Sequence, residues 1–123
     1  MKYRSDDMQA LILVLNKVEL MEEVLSSLIR SGISGATILD SQGMGSAIVA
    51  GARHEVPVFG SLKAFFDREH PYNKTLFTIV ESEEKLEIAI KAITDITGDL
   101  EKPNEGLMFT VPVNRVIGLE KRD

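Results

Sequence analysis

The run Ala10-Leu-Ile-Leu-Val-Leu15 is apolar without a break. Successive side chains of a strand point to opposite faces, so Leu11, Leu13 and Leu15 take one side while Ile12 and Val14 take the other. Both sets are large and aliphatic, and a strand of this kind needs cover on both faces. Leaving such side chains in water forgoes about 1.5–3 kcal/mol for each. Helices of the same chain can cover one face only. A bare apolar patch on the other marks an interface, which a symmetric homo-oligomer packed sheet against sheet would supply. The alternative is that the C-terminal tail or the long loop folds back over the sheet.

The same grammar occurs twice. After the first strand, Asn16 with Glu19 three residues on resembles a helix start with a reciprocal cap. Val18, Met21, Val24, Leu25, Leu28 and Ile29 then recur at helical spacing until Gly32, and Ala36-Thr-Ile-Leu39 reads as a second strand. The second pass opens with Thr75-Leu-Phe-Thr-Ile-Val80. Ser82 is placed to cap a helix, with Glu83 and Glu84 in its first turn and Leu86, Ala89, Ile90 and Ile93 as its apolar stripe. Gly98 ends that helix, and Leu107-Met-Phe-Thr-Val111 supplies a fourth strand before Pro112. Moving Met21, Val24, Leu25 and Leu28 forward by 65 places lands on Leu86, Ala89, Ile90 and Ile93. The order β-α-β, long loop, β-α-β predicts an α+β, ferredoxin-like βαββαβ sandwich. It has a four-stranded antiparallel sheet with its first and third strands central and two helices on one face.

A chain of 123 residues accommodates one domain, residues 1–123, with a polar N-terminal extension over 1–8 and a long loop over 42–74. The absence of cysteine excludes disulfides, thiolate catalysis and cysteine-ligated zinc, and two histidines make a histidine-rich metal site improbable. A formal charge of −5 sets the overall field against nucleic acid and anionic membrane surfaces. No apolar run approaches the roughly 20 residues of a membrane span, and Met1 to Asp7 does not read as a signal peptide. The expectation is a soluble cytoplasmic protein.

Catalytic motifs are missing: the sequence has no Walker loop, no G-x-S-x-G and no HExxH. Glu22-Glu23 and Glu83-Glu84 read as helix surface charge. His54 and His70 fall in the long loop with no orienting partner at motif spacing, so neither is assigned chemistry. The loop opens with Gln42-Gly43-Met44-Gly45-Ser46, where two glycines after a strand permit a tight bend and close backbone approach to a ligand. Farther on, Ser61-Leu-Lys-Ala-Phe-Phe-Asp67 has the spacing of a short amphipathic helix, either docked on its own body or facing a partner.

Three stretches resemble the PII-like signal-transduction family: Gly32-Ile-Ser-Gly35-Ala-Thr37, then Gly43-Met-Gly45, then Gly106-Leu-Met-Phe-Thr-Val-Pro-Val113 with Arg115-Val-Ile117. The likeness runs from Met8 to Ser46 and from Asn104 to Glu120. It implies a homotrimer with sheets facing inward, an adenine nucleotide in the clefts between subunits, and a long loop that meets a target protein, a transporter or a metabolic enzyme. By position, it implies that Gly35 and Thr37 line the adenine pocket and Leu15 packs on the base. Gly43, Met44 and Gly45 would approach the nucleotide at the loop root, while Glu105, Gly106 and Leu107 would form a short loop on the sugar and phosphates. No catalytic residue, no metal ligand and no required cofactor is implied.

The chain also departs from that family. Leu107 stands where nitrogen regulators place a lysine, Gly118 and Glu120 stand where arginines reach phosphates, and Ala47 stands where a glutamine serves magnesium and 2-oxoglutarate. A charge-assisted hydrogen bond contributes about 1.5–3 kcal/mol, so the ligand implied is ADP or AMP ahead of ATP. Lys102, Lys121, Arg122 and Arg53 are the cations available as substitutes. Nitrogen regulation, 2-oxoglutarate sensing and covalent modification are not implied. The rival readings are an oligomer on the same fold that binds a small metabolite or metal ion without nucleotide, and an enzyme relying on His54 or His70.

Overall fold

The computed structural model describes residues 7–33, 35–43, 72–102 and 106–119. The apolar run forms β1 (Gln9–Leu15), antiparallel to β3 (Tyr72–Val80) on one side and to β4 (Gly106–Pro112) on the other. The strand β2 (Thr37–Gln42) lies outside β3, giving the order β2-β3-β1-β4. The two most apolar strands are central, as their two-sided patterning requires, and the fold is the ferredoxin-like sandwich.

Helix α1 (Met21–Arg30) and helix α2 (Glu83–Thr97) cover one face. They bury Met21, Val24 and Leu28 from α1 with Leu86, Ala89 and Ile93 from α2, which are the positions related by the 65-residue offset. The helices also meet at related positions: Ser27 Oγ donates to the Ala92 carbonyl at 3.0 Å, and these residues are themselves 65 apart. An approximate twofold relation between the halves therefore passes through the helix contact. Leu11, Leu13 and Leu15 lie beneath the helices at 0–1% exposure, together with Leu76 and Val80 of β3.

The helix ends follow their local chemistry, with one exception. Gly32 adopts φ 91° and donates to the Ile29 carbonyl, while Ile33 donates to the Leu28 carbonyl at 2.9 Å and is itself buried. This is the Schellman arrangement with its apolar contact. Ser82 accepts from the Lys85 amide at 3.2 Å and caps α2. The helix start expected at Asn16 falls elsewhere. The chain instead enters α1 through a 3-10 turn, Val18–Leu20, whose N-cap is Lys17, and no side-chain cap bond is made there. The Val18 amide closes on the Asn16 carbonyl, so backbone bonding supplies the entry.

Two strands are longer than apolarity suggests. β2 runs to Gln42 and β3 begins at Tyr72, so Gln42 and residues 72–74, read as loop from the sequence, belong to strands. The added pairs are polar: Ser41 Oγ hydrogen-bonds to Asn73 Oδ1 and, at 2.8 Å, to Thr75 Oγ1, and Lys74 Nζ meets Asp40 Oδ1 at 3.0 Å. Met8, grouped by composition with the polar extension, is buried, and its carbonyl accepts from the Val113 amide. Ser61–Asp67, His54 and His70 lie outside the described residues.

Among the described residues, neither helix lies on the second face of the sheet. Cross-strand register places Leu39, Thr75, Val14 and Leu107 on one rung of it. Thr37, Phe77, Ile12 and Phe109 form the next, followed by Ile79, Ala10 and Val111. Leu39, Phe77, Leu107, Phe109 and Val111 are exposed there, and no described segment crosses them. Among the described residues, no helix is long and apolar enough to cross a membrane.

Candidate functional site

The residues singled out in the sequence fall into two groups. Gly35, Thr37 and Gly43 lie on or beside β2, one edge of the sheet, whereas Gly106 and Leu107 open β4, the opposite edge. Three strand spacings separate those edges, about 14 Å. Leu15 sits between them on β1, level with Lys74 and Gly106 in register, but its side chain is 1% exposed on the helix side. Met44, Gly45 and Glu105 lie outside the described residues. The described candidate residues of a single chain thus stand on opposite edges of its sheet.

On the β2 edge, Gly35 is informative because nothing inside the chain requires a glycine there. Gly32, Gly98 and Gly118 have positive φ, which accounts for them. Gly35 does not, and a Cβ built on it would meet nothing within 4 Å. The space beside it is empty in the single chain. Its carbonyl accepts from Thr78 Oγ1, and Thr78 is 2% exposed beneath the sheet. Two residues on, Thr37 is exposed on the open face.

On the β4 edge, Gly106 has φ 150°, and an added Cβ would lie 2.6 Å from the Val14 carbonyl oxygen and 3.6 Å from Leu100 Cδ2. The backbone enters β4 so close to β1 that only glycine fits. Leu107, next along, points to the open face at 57% exposure and carries no charge. The approach to Gly106 is a polar turn in which Asp99 Oδ1 accepts from the Glu101 amide at 2.9 Å and the Asp99 carbonyl accepts from Lys102. Lys102 is exposed in that turn, while Arg53, Lys121 and Arg122 lie outside the described residues.

The base of the loop is braced from both sides. Ser41, Asn73 and Thr75 link β2 to β3 on the open face, and the Asp40–Lys74 pair does so on the helix face, just before Gly43. Asn73 is 8% exposed within this cluster. Neither the brace nor Thr78 is visible from motif spacing. The one signal available for Thr78 is a hydroxyl at a helix-facing position between the apolar Leu76 and Val80. Among the described residues, no group of His, Asp or Glu is assembled to hold a metal ion.

Comparison with known proteins bears on the family and the fold. The sequence model of the family described as nitrogen regulatory protein P-II matches residues 8–123. Among solved structures, that of Arabidopsis thaliana PII bound to citrate superposes with a TM-score of 0.59 at 18% identity, covering 88% of this chain and 78% of that one. At such identity the likeness establishes the fold. No characterised protein matches the sequence significantly.

Proposed function

The chain belongs to the nitrogen regulatory protein P-II family, and from that premise we propose that it is a homotrimeric, cytoplasmic regulator that senses an adenine nucleotide. ADP or AMP is the preferred ligand, taken up in the clefts between subunits. One observation carries the reading: the candidate residues form two half-sites on opposite edges of a sheet, one face of which exposes Leu39, Phe77, Leu107, Phe109 and Val111. Packing three such faces inward brings the β2 edge of one copy toward the β4 edge of the next, and that juxtaposition makes one site from two halves. Gly35 and Thr37 serve the adenine, with the threonine hydroxyl able to read the base edge. Gly43, Met44 and Gly45 lie at the loop root, and Glu105, Gly106 and Leu107 approach the sugar and phosphates. Leu15 walls the region from the core.

The phosphate end decides which nucleotide is preferred. Leu107 offers no cation where the family's lysine stands, and each missing charge-assisted bond weakens binding by about 1.5–3 kcal/mol. Lys102 is the described cation nearest in sequence to Gly106. The loop beyond Gly43 then transmits the ligand state to a target protein, a transporter or metabolic enzyme, by population shift: the ligand favours the loop arrangement it binds better.

Titration calorimetry with ATP, ADP, AMP and 2-oxoglutarate tests the reading. Heat is expected from ADP and AMP. No heat from any adenine nucleotide overturns the ligand assignment, and tight binding of magnesium-ATP overturns the preference for shorter phosphates. A second reading, a small-metabolite site without nucleotide, is favoured by the apolar, exposed Leu107. The Arabidopsis PII structure holds citrate, so citrate belongs in the same titration. Heat from citrate alone would select the second reading.

A further inference from the structure

The β2–β3 ladder ends at the pair Thr37 and Phe77. One step farther along β3 stands Thr78, and there the side chain takes over from the backbone: its Oγ1 donates to the Gly35 carbonyl. This hydroxyl is 2% exposed, level with Leu11 on the helix side, with the buried Leu76 and Val80 before and after it on the same face of β3. A buried hydroxyl persists in such surroundings only when it is hydrogen-bonded, and the carbonyl it has found belongs to the glycine whose outer side is kept empty. The bond extends the edge strand by one rung and fixes Gly35 and Ala36 ahead of Thr37.

We propose that Thr78 is a positioning residue for the ligand site, its buried hydroxyl holding the Gly35 carbonyl from beneath so that Gly35 through Thr37 presents a fixed surface to the base. The proposal rests on the adenine-nucleotide reading above. Thr78 touches no ligand. It acts through Gly35, and its contribution is to the affinity and base selectivity of the β2 half-site. Without that bond the segment has no side-chain tie to β3, and the ligand must order it on binding, at a cost in affinity.

The test compares Thr78→Val, which keeps size and branching but removes the hydroxyl, with Thr78→Ser, which keeps the hydroxyl and removes the methyl. ADP and GDP are titrated into each, and unfolding is followed alongside. Thr78→Val is expected to bind ADP about tenfold more weakly and to show a reduced preference for ADP over GDP. Thr78→Ser is expected to recover both. A purely structural role would shift the melting point but not the ADP-to-GDP ratio. A Val variant matching wild type in affinity and ratio overturns the proposal, as does a Ser variant impaired as much as Val. If the Val variant does not fold, Thr78→Ala is read by the same criteria. Wild-type protein that takes up no adenine nucleotide overturns the preceding reading, and this one with it. Wild-type binding that Val leaves unaltered overturns this one alone.

Discussion

Replacing Phe109 with Asp separates the stability of the chain from that of its assembly. Phe109 stands on the rung with Ile12, Phe77 and Thr37 and is 43% exposed in the single chain. A phenylalanine presents about 200 Å², so about 90 Å² is left for a neighbouring copy to cover, worth about 2 kcal/mol. Three copies in a trimer forfeit about 6 kcal/mol together, which is about four decades in the association constant. The buried carboxylate adds to that loss. Within one chain the position is already half in solvent, and exposed strand substitutions change stability by about 1 kcal/mol. Sedimentation velocity at micromolar concentration is expected to find wild type as trimers and Phe109→Asp as single chains, with the same far-ultraviolet circular dichroism. A variant that stays assembled to the same dilution as wild type would refute the packing of this face. Wild-type chains found single and well folded at that concentration would refute the assembly itself.

Two substitutions probe the local geometry. Gly106→Ala drives a methyl to 2.6 Å from the Val14 carbonyl at a φ of 150°; a loss of about 1–3 kcal/mol is expected in urea unfolding, with weaker ADP binding in calorimetry. Ser82→Ala removes the acceptor for the Lys85 amide. It should lower the urea midpoint by the equivalent of about 1 kcal/mol at unchanged m-value, leaving ligand affinity as it was.

The features legible in the sequence are those that depend on a residue's own strand or helix. Alternation in Ala10–Leu15 announces a two-sided strand, and the 65-residue offset of the helix stripes announces the repeated half. The polar continuation of β2 and β3 was not legible, because Ser41 and Asp40 read as strand only once Asn73, Thr75 and Lys74 lie opposite them. The helix start expected at Asn16 is displaced for a related reason: a 3-10 turn intervenes and closes on backbone carbonyls. At the candidate site, resemblance pointed to the glycines, but not to the reason for them. Gly106 is explained by the Val14 carbonyl, while a Cβ at Gly35 would meet nothing within 4 Å among the described residues. Thr78 is not legible in the sequence because its partner is a carbonyl 43 residues away.

The separation of the half-sites links ligand and assembly. A nucleotide that needs the β2 edge of one copy and the β4 edge of another binds the oligomer and not the single chain, so it stabilises the oligomer by RT ln(1 + [L]/Kd) at each site. At a hundredfold excess over Kd that is about 2.7 kcal/mol per cleft, comparable with the cover each Phe109 gains from its neighbour. On the proposed assembly, the apolar side chains on three successive rungs supply the cohesion when the clefts are empty. The brace at the loop base has a matching consequence. Ser41, Asn73 and Thr75 on one face, with Asp40 and Lys74 on the other, tie the strand ends together immediately before Gly43. On the proposed function, a ligand that moves Gly43 moves it against strand ends already tied together by these bonds.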